Sequence, residues 1–319
     1  MKIFALLFFF VLVIACNRGD STLKMEPFPL EKSLEGESVL MKDVINPGFI
    51  MLKEKNLFVS SINSDSMLYQ YSIPDFVTLS KGGIKGQGEN EFQFFPMFCR
   101  TLSDYVYIWG YNPLLIKCFV LRDSHSLSFS HEYTLPFYES FNQMHIIKDS
   151  ILVYSAIPGE FAIKKIDLRK GKELGKISIE KDEHPESFFY KNRGIIAVND
   201  SFIVYGYTYK KQIDIYDVND FRLKRRIMDG DMEPNIRIGD FENNINYYIN
   251  IVAGRNFFYA LCQGEEKKFC LEKFDYEGHS IAKYRFDVVP YMFDIDEDDN
   301  CIYGFNYQNE DYFYRYSMN

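Results

Sequence analysis

The amino-acid sequence predicts an all-β protein, more specifically a six-bladed β-propeller. Three observations predict it: a short apolar motif recurs six times, each copy is followed by a turn and further strand-like segments, and aromatic residues make up 17% of the chain. Aromatic residues favour strands, and no window of helical length shows a 3.6-residue period with caps at both ends. Units too small to bury their own apolar face are typical of stacked or radial arrays.

The repeated motif defines the blades. Successive copies begin 44 to 55 residues apart, which accommodates four strands and their turns. The first residues of the copies are Leu57, Val106, Leu152, Phe202, Phe257 and Cys301. In the second unit we expect strands near Met97–Thr101, Tyr105–Gly110, Leu115–Leu121 and Ser128–Leu135. A β-sandwich would not supply six such evenly spaced equivalents.

The last unit has room for only three strands before Asn319. A three-stranded blade would leave an open edge, and exposed edges invite aggregation. The segment Glu37–Val44 precedes the first unit and has no position within the other blades. We therefore predict that this N-terminal strand joins the last blade and closes the ring.

Residues 1–15 predict an export signal peptide, because Lys2 precedes an apolar run that is short for a membrane span. The run ends in Val-Ile-Ala-Cys16, which resembles the lipobox of bacterial lipoproteins. That resemblance implies lipidation of Cys16 and anchoring to a membrane of the cell envelope, either facing the periplasm or exposed at the surface. An ordinary signal peptide followed by a chance cysteine is the alternative.

The domain organisation follows from these boundaries. Residues 16–36 are predicted to be the lipidated cysteine and a polar tether, and residues 37–319 the propeller. A formal charge of −9 argues against nucleic acid as a partner. No motif calls for a cofactor, and we expect a monomer.

The remaining cysteines are Cys99, Cys118, Cys262, Cys270 and Cys301. An odd number cannot pair completely, and none has the CxxC spacing of a zinc or redox site, so we expect no metal centre and mostly buried, free thiols. One pairing stays open, because Cys262 and Cys270 could face each other across a hairpin of the fifth unit.

Six such units behind a lipobox, together with the glycine-rich segment Gly82–Phe92, resemble the TolB-like six-bladed β-propeller lipoproteins of the Bacteroides group. Members of that group often carry a glycine-rich loop ending in Glu-Phe at this position. In this chain Gln87 and Asn90 interrupt the usual Gly-Pro-Gly-Glu-Phe form. The resemblance covers essentially the whole mature chain and implies location and shape, with little chemistry.

Two segments imitate ligand motifs. The glycine-rich segment lacks the GxxxxGK[ST] pattern of a phosphate-binding loop, so we interpret it as an inter-blade loop anchored by Phe92. The acidic segment Asp294–Asn300 departs from a calcium loop, with Asp299 at position six and Phe305 at position twelve. It is interpreted as a turn, with weak divalent binding as the alternative.

The candidate ligand site is one mouth of the central channel, which the inner strands would line. Polar and aromatic residues there could hold a saccharide, a peptide or an envelope protein. The residues so predicted are Arg100, Asn142, Gln143, Asn192, Arg193, Tyr247, Tyr248 and Tyr291. The chain has neither an HExxH nor a GxSxG motif, which favours a non-catalytic binding module. The alternative is a lyase or hydrolase that acts on a saccharide or peptide. The sequence does not identify the catalytic residues of such an enzyme.

Overall fold

The computed structural model describes residues 21–319 except 42, 63–64, 94, 111–114, 123–125, 136–141, 158, 182–189, 231–233, 235, 238–242 and 265, and the side chain of Asn142. The predicted signal peptide and Cys16 lie outside the described residues. Within the described ranges all regular elements are strands, and no helix there is long and apolar enough to cross a membrane.

The described strands are numbered in chain order. They are β1 (Thr22–Lys24), β2 (Glu31–Leu34), β3 (Glu37–Leu40), β4 (Pro47–Lys53), β5 (Asn56–Ser61), β6 (Leu68–Ser72), β7 (Thr78–Gly82), β8 (Ile84–Lys85), β9 (Glu91–Phe92), β10 (Met97–Cys99), β11 (Tyr105–Gly110), β12 (Leu115–Arg122), β13 (Ser126–Thr134), β14 (Asn142–Ile147), β15 (Ile151–Ser155), β16 (Ala162–Asp167), β17 (Lys172–Ser178), β18 (Gly194–Val198), β19 (Phe202–Tyr207), β20 (Gln212–Asp217), β21 (Leu223–Met228), β22 (Tyr248–Ala253), β23 (Phe257–Gln263), β24 (Phe269–Asp275), β25 (Ser280–Phe286), β26 (Met292–Asp296), β27 (Cys301–Phe305) and β28 (Tyr312–Ser317).

These strands form the six predicted blades. Blades one to five contain β4–β7, β10–β13, β14–β17, β18–β21 and β22–β25, and each begins with its inner strand. Blade six has the order β26-β27-β28-β3. The strand β3 is antiparallel to β28, with Val39 opposite Phe313, so the N-terminal closure of the ring is confirmed.

The segment before β3 differs from the expected tether. Its strand β1 pairs in parallel with β21, and β2 pairs in parallel with β25, so blades four and five each gain a fifth strand. Met25 and Leu34 are buried there. The outer strands of both blades present unpaired backbone groups that this polar segment satisfies, while its few apolar side chains pack on the blades.

Six buried apolar clusters hold the ring together, and each lies between two adjacent blades. Strand β11 shows how this arises. Val106 and Ile108 belong to the cluster shared with blade one, and Tyr107 and Trp109 to the cluster shared with blade three. Alternate side chains of a strand point to opposite faces, and both faces of each blade are covered, so these strands are nearly continuous apolar runs.

The glycine-rich loop is an inter-blade connection, as predicted. Its short strands β8 and β9 pair in parallel, Phe92 is buried, and Gly83 has a φ of 71°. The ammonium of Lys117 donates to the carbonyl oxygens of Gly88 and Glu91. The loop therefore directs carbonyl groups toward the Lys117 ammonium, whereas a phosphate-binding loop would direct amide groups toward the phosphate.

Candidate functional site

The described residues line two cavities along the central channel, one at each end of the inner strands. The N-terminal ends of these strands line a cavity of about 580 Å³, here called the mouth cavity. Their C-terminal ends line a second cavity of about 570 Å³, here called the acidic cavity. Arg100 lines both, so it lies where the two cavities meet.

Three inner strands are bulged where they enter the mouth cavity. The register shifts between Pro47 and Ile50 in β4, between Asn142 and Met144 in β14, and between Tyr248 and Asn250 in β22. A residue within each shift lines the cavity, namely Phe49, Gln143 and Ile249. Bulges redirect side chains, so blades one, three and five each turn one extra side chain toward the channel.

Gln143 has an unusual backbone conformation within its bulge. Its φ is 58°, in the left-handed region that non-glycine residues rarely adopt. The side-chain Oε1 accepts a hydrogen bond of 2.7 Å from the backbone N–H of Ile196 in the inner strand of blade four. This contact joins two blades at the wall of the mouth cavity and stabilises the unusual backbone.

Aromatic rings form much of the remaining wall. Trp109, Tyr209, Tyr248 and Tyr291 come from blades two, four, five and six. Asn250 Nδ2 donates to the backbone oxygen of Tyr291 at 3.0 Å, which ties blades five and six together beside that ring. Aromatic faces with nearby amides suit a ligand that has both a flat or apolar face and polar groups.

The charges of the mouth cavity are unusual for this protein. Among the described lining residues, Arg100 and Arg193 carry positive charge and no carboxylate is present, although the chain carries a formal charge of −9. Arg100 Nη2 donates to the backbone oxygen of Phe293 at 2.7 Å, and its Nη1 lies 3.4 Å from Asp294 Oδ1. These contacts hold the Arg100 guanidinium across the channel from blade two to blade six.

His145 lies beside Arg100, to which it is bridged through the backbone. It is only 4% exposed, and its Nδ1 has no hydrogen-bond partner among the described residues. Burial, together with the charge of Arg100, lowers the pKa of His145 to about 3. The imidazole is therefore neutral at physiological pH and adds a polar group without charge to the cavity wall.

The acidic cavity has the opposite character. Seven carboxylates and three cationic groups are among its described lining residues. Asp296 Oδ1 accepts the backbone N–H groups of Asp298 and Asp299, both at 3.1 Å, which confirms the turn predicted for this segment. Lys55 from blade one bridges Asp296 and Asp299 at 2.9 and 2.8 Å. These carboxylates therefore shape a turn and join blades.

Five of the eight predicted site residues line the mouth cavity: Arg100, Gln143, Arg193, Tyr248 and Tyr291. Two do not. Asn192 donates to the backbone oxygen of Glu180 and accepts from Lys210, while Tyr247 packs in the cluster between blades four and five. The side chain of Asn142 lies outside the described residues.

Sequence reasoning missed several lining residues. His145 and Asn250 stand in inner strands, so their position carried a usable signal. Trp109 lies near the end of a second strand and Tyr209 just beyond another. Their contribution was not predictable from the inner strands, because neither residue belongs to one.

Comparisons with known proteins support the fold. The chain aligns with a Bacteroides fragilis protein described as exported, with a TM-score of 0.57 and 13% identity over 92% of this chain and 98% of that one. It also aligns with the structure of U3-55K, with a TM-score of 0.55 and 8% identity over 88% of this chain and 98% of that chain. No family model and no curated protein sequence matches. At such low identity these likenesses establish the β-propeller architecture alone.

Proposed function

We propose that the protein is a binding module of the cell envelope whose mouth cavity takes a carboxylate-bearing ligand. The observation that carries the proposal is the pair of arginines, Arg100 and Arg193, in a cavity whose described lining contains no carboxylate. The rest of the chain is acidic and repels anions at long range. Arg100 is already paired with Asp294, and Arg193 adds a second positive charge at this end of the channel, which supports an anionic ligand.

The cavity chemistry suits this ligand class. Guanidinium groups bind carboxylates through charge-assisted and often bidentate hydrogen bonds. Trp109 and Tyr291 line the cavity, where their rings can contact the apolar side of a sugar or peptide. A saccharide that carries uronic acids combines both features, and an acidic peptide is the second ligand of the same chemistry.

We further propose that the protein is a TolB-like lipoprotein anchored through Cys16. The likeness to an exported protein supports an envelope location. Strand β1 runs parallel to β21, which leads from the acidic end of the ring toward the mouth end. The start of β1 therefore lies on the acidic side of the ring, which supports an orientation in which the mouth cavity faces away from the membrane.

The ligand proposal is tested by calorimetric titration with oligogalacturonate and with a neutral galactose oligomer of the same length. We expect binding of the acidic oligomer only. Arg193→Gln should weaken it about 10-fold to 100-fold, because a hydrogen bond to a charged group contributes about 1.5–3 kcal/mol.

Arg255→Gln is the matched control, because Arg255 lines the acidic cavity and should leave binding unchanged. If an acidic peptide bound and the acidic saccharide did not, the proposed site would stand and its ligand would be a peptide. Equal affinity for neutral and acidic oligomers, or full binding by Arg193→Gln, would refute the proposal.

A further inference from the structure

Two cysteines of blade five stand side by side. Cys262 in β23 and Cys270 in β24 are directly opposite each other in the antiparallel register. Both belong to the cluster that faces blade four, so their side chains lie on the same face of the sheet. Their sulfur atoms and a carboxylate oxygen of Glu272 all lie within 4.8 Å of one another.

The other described cysteines have no such neighbour. Cys99 and Cys118 both pair with Tyr107 on the intervening strand β11, from opposite sides, so one whole strand separates them. Cys301 is in blade six. The pair in blade five is therefore the one place among the described residues where register brings two thiols onto neighbouring strands.

The register meets the geometric requirement of a disulfide. Directly opposed residues of antiparallel strands have Cα atoms about 4.5–5.5 Å apart. Disulfides are found at Cα separations of about 4.4–6.8 Å. A bond between these two sulfurs therefore needs rotation of the side chains and little movement of the backbone.

The surroundings favour a disulfide over a bound metal ion, which the same three ligands could otherwise hold. Glu272 is fully buried, and its Oε1 already lies 3.6 Å from Lys211 Nζ and 3.8 Å from Lys283 Nζ. A divalent cation bound there would be placed close to two ammonium groups, which repel it. A disulfide is neutral and leaves the ion pairs of Glu272 in place.

We propose that Cys262 and Cys270 form a disulfide bond in the exported protein. The inference rests on the export proposed above, since disulfides persist in oxidising compartments. The two thiols lose two protons and two electrons as the S–S bond forms, and a thiol–disulfide oxidant accepts the electrons and is itself reduced to two thiols. Both cysteines are buried in the folded blade, so the bond forms as the β23–β24 hairpin assembles, before blade four covers it.

The bond would also support the wall of the mouth cavity. Tyr248 is opposite Cys262 across β22 and β23, and its hydroxyl donates to Glu272 Oε2 at 3.2 Å. A covalent link between β23 and β24 would stiffen the sheet that positions this ring.

The test is peptide mapping of the full chain, expressed with its own leader and purified from the cell envelope. Free thiols are alkylated under denaturing conditions before trypsin digestion without reductant. Trypsin cleaves at Lys267 and Lys268 between the two cysteines, so the disulfide appears as two peptides joined by one bond. We expect this species, its loss on reduction, and alkylation of Cys118 and Cys301.

Two variants are compared with the natural chain. The double substitution Cys262→Ser, Cys270→Ser should abolish the linked species, while Cys118→Ser should retain it. Reduction should lower the melting temperature of the natural chain and of Cys118→Ser by roughly 5 °C, and that of the double variant not at all.

Failure of export and failure of the disulfide give different results. An intact leader on the purified chain would show that export failed, and refolding from denaturant in the presence of oxidised glutathione should then still produce the linked peptides. Two alkylated peptides from the exported protein would refute the disulfide. So would one equivalent of bound zinc that the double variant loses.

Discussion

At the scale of single residues, His145 combines burial with a missing partner. Its ring is enclosed beside Arg100, and its Nδ1 makes no hydrogen bond to the described residues. A neutral, buried imidazole in the wall of the mouth cavity makes stability sensitive to acid. The reason is that the unfolded chain can take up a proton that the folded protein rejects.

We predict that His145 lowers the free energy of unfolding as the pH falls. Its folded pKa of about 3 lies below the ordinary value of 6.5, so its contribution is complete above pH 6.5 and is lost as the pH falls toward 3. Between pH 7 and pH 5 the loss is about 2 kcal/mol. Urea unfolding of His145→Gln should show a decline that is smaller by this amount.

His279 provides the control, because its environment acts in the other direction. It is exposed, and its hydrogen bond to Asp275 raises its pKa. Its contribution is present at low pH and is lost as the pH rises, so His279→Gln should not reduce the decline toward acid. An unchanged acid response in His145→Gln would contradict the assignment.

At the scale of strands and sheets, the bulges in β4, β14 and β22 and the closing strand β3 matter most. The bulges direct Phe49, Gln143 and Ile249 toward the mouth cavity without changing the blade architecture. The strand β3 completes blade six through backbone hydrogen bonds, because three of its four side chains are exposed. Its contribution therefore depends on which amide groups face β28.

We predict that Val39→Pro destabilises the ring. The Met41 N–H donates to Asp311 at 2.8 Å, and hydrogen-bonded pairs alternate along an antiparallel ladder, so the Val39 N–H also faces β28. Proline removes that donor and leaves a carbonyl unpaired, at a cost of about 1–3 kcal/mol. The measurement is the urea midpoint relative to the natural chain.

Ser38→Pro is the matched substitution in the same strand. The Ser38 N–H points away from β28 at the outer edge of the blade, where proline is tolerated. Its midpoint should stay close to that of the natural chain. Equal destabilisation by both substitutions would mean that β3 does not stabilise the ring through its backbone hydrogen bonds to β28.

At the scale of the whole molecule, charge is divided between the two ends of one channel. Among the described lining residues, the mouth cavity has two arginines and no carboxylate, and the acidic cavity has seven carboxylates and three cationic groups. The N-terminal segment runs along blades four and five before it closes blade six. A lipid anchor would therefore act on a segment that is itself part of the propeller.

We predict that Cys16→Ala abolishes lipid labelling and releases the protein from the membrane. Multiple acyl chains bind stably, whereas the described body has no membrane-spanning helix. The measurement is palmitate incorporation and membrane fractionation in cells. Cys118→Ser is the control and should be labelled normally. Unchanged labelling of Cys16→Ala would show that Cys16 is not the acylated residue.

The sequence by itself determined the number of blades, their strands and the closure by the N-terminal segment. These features depend on local alternation and spacing, which each unit of about 50 residues repeats. The strand boundaries of blade two agree with the structure to within three residues at each end. The pairing of β1 and β2 was not predictable, because a polar strand at an edge leaves no apolar period.

Only the tertiary structure decided which residues meet in the channel. Asn192 and Arg193 are adjacent in the sequence, yet the side chain of Asn192 bonds to Glu180 and Lys210 while Arg193 lines the mouth cavity. The division of charge between the two cavities and the register of Cys262 with Cys270 were likewise settled only by folding. The physical reason is that these contacts depend on register, bulges and blade orientation. The spacing of residues along the chain does not fix these, and the channel contacts in particular join residues from different blades.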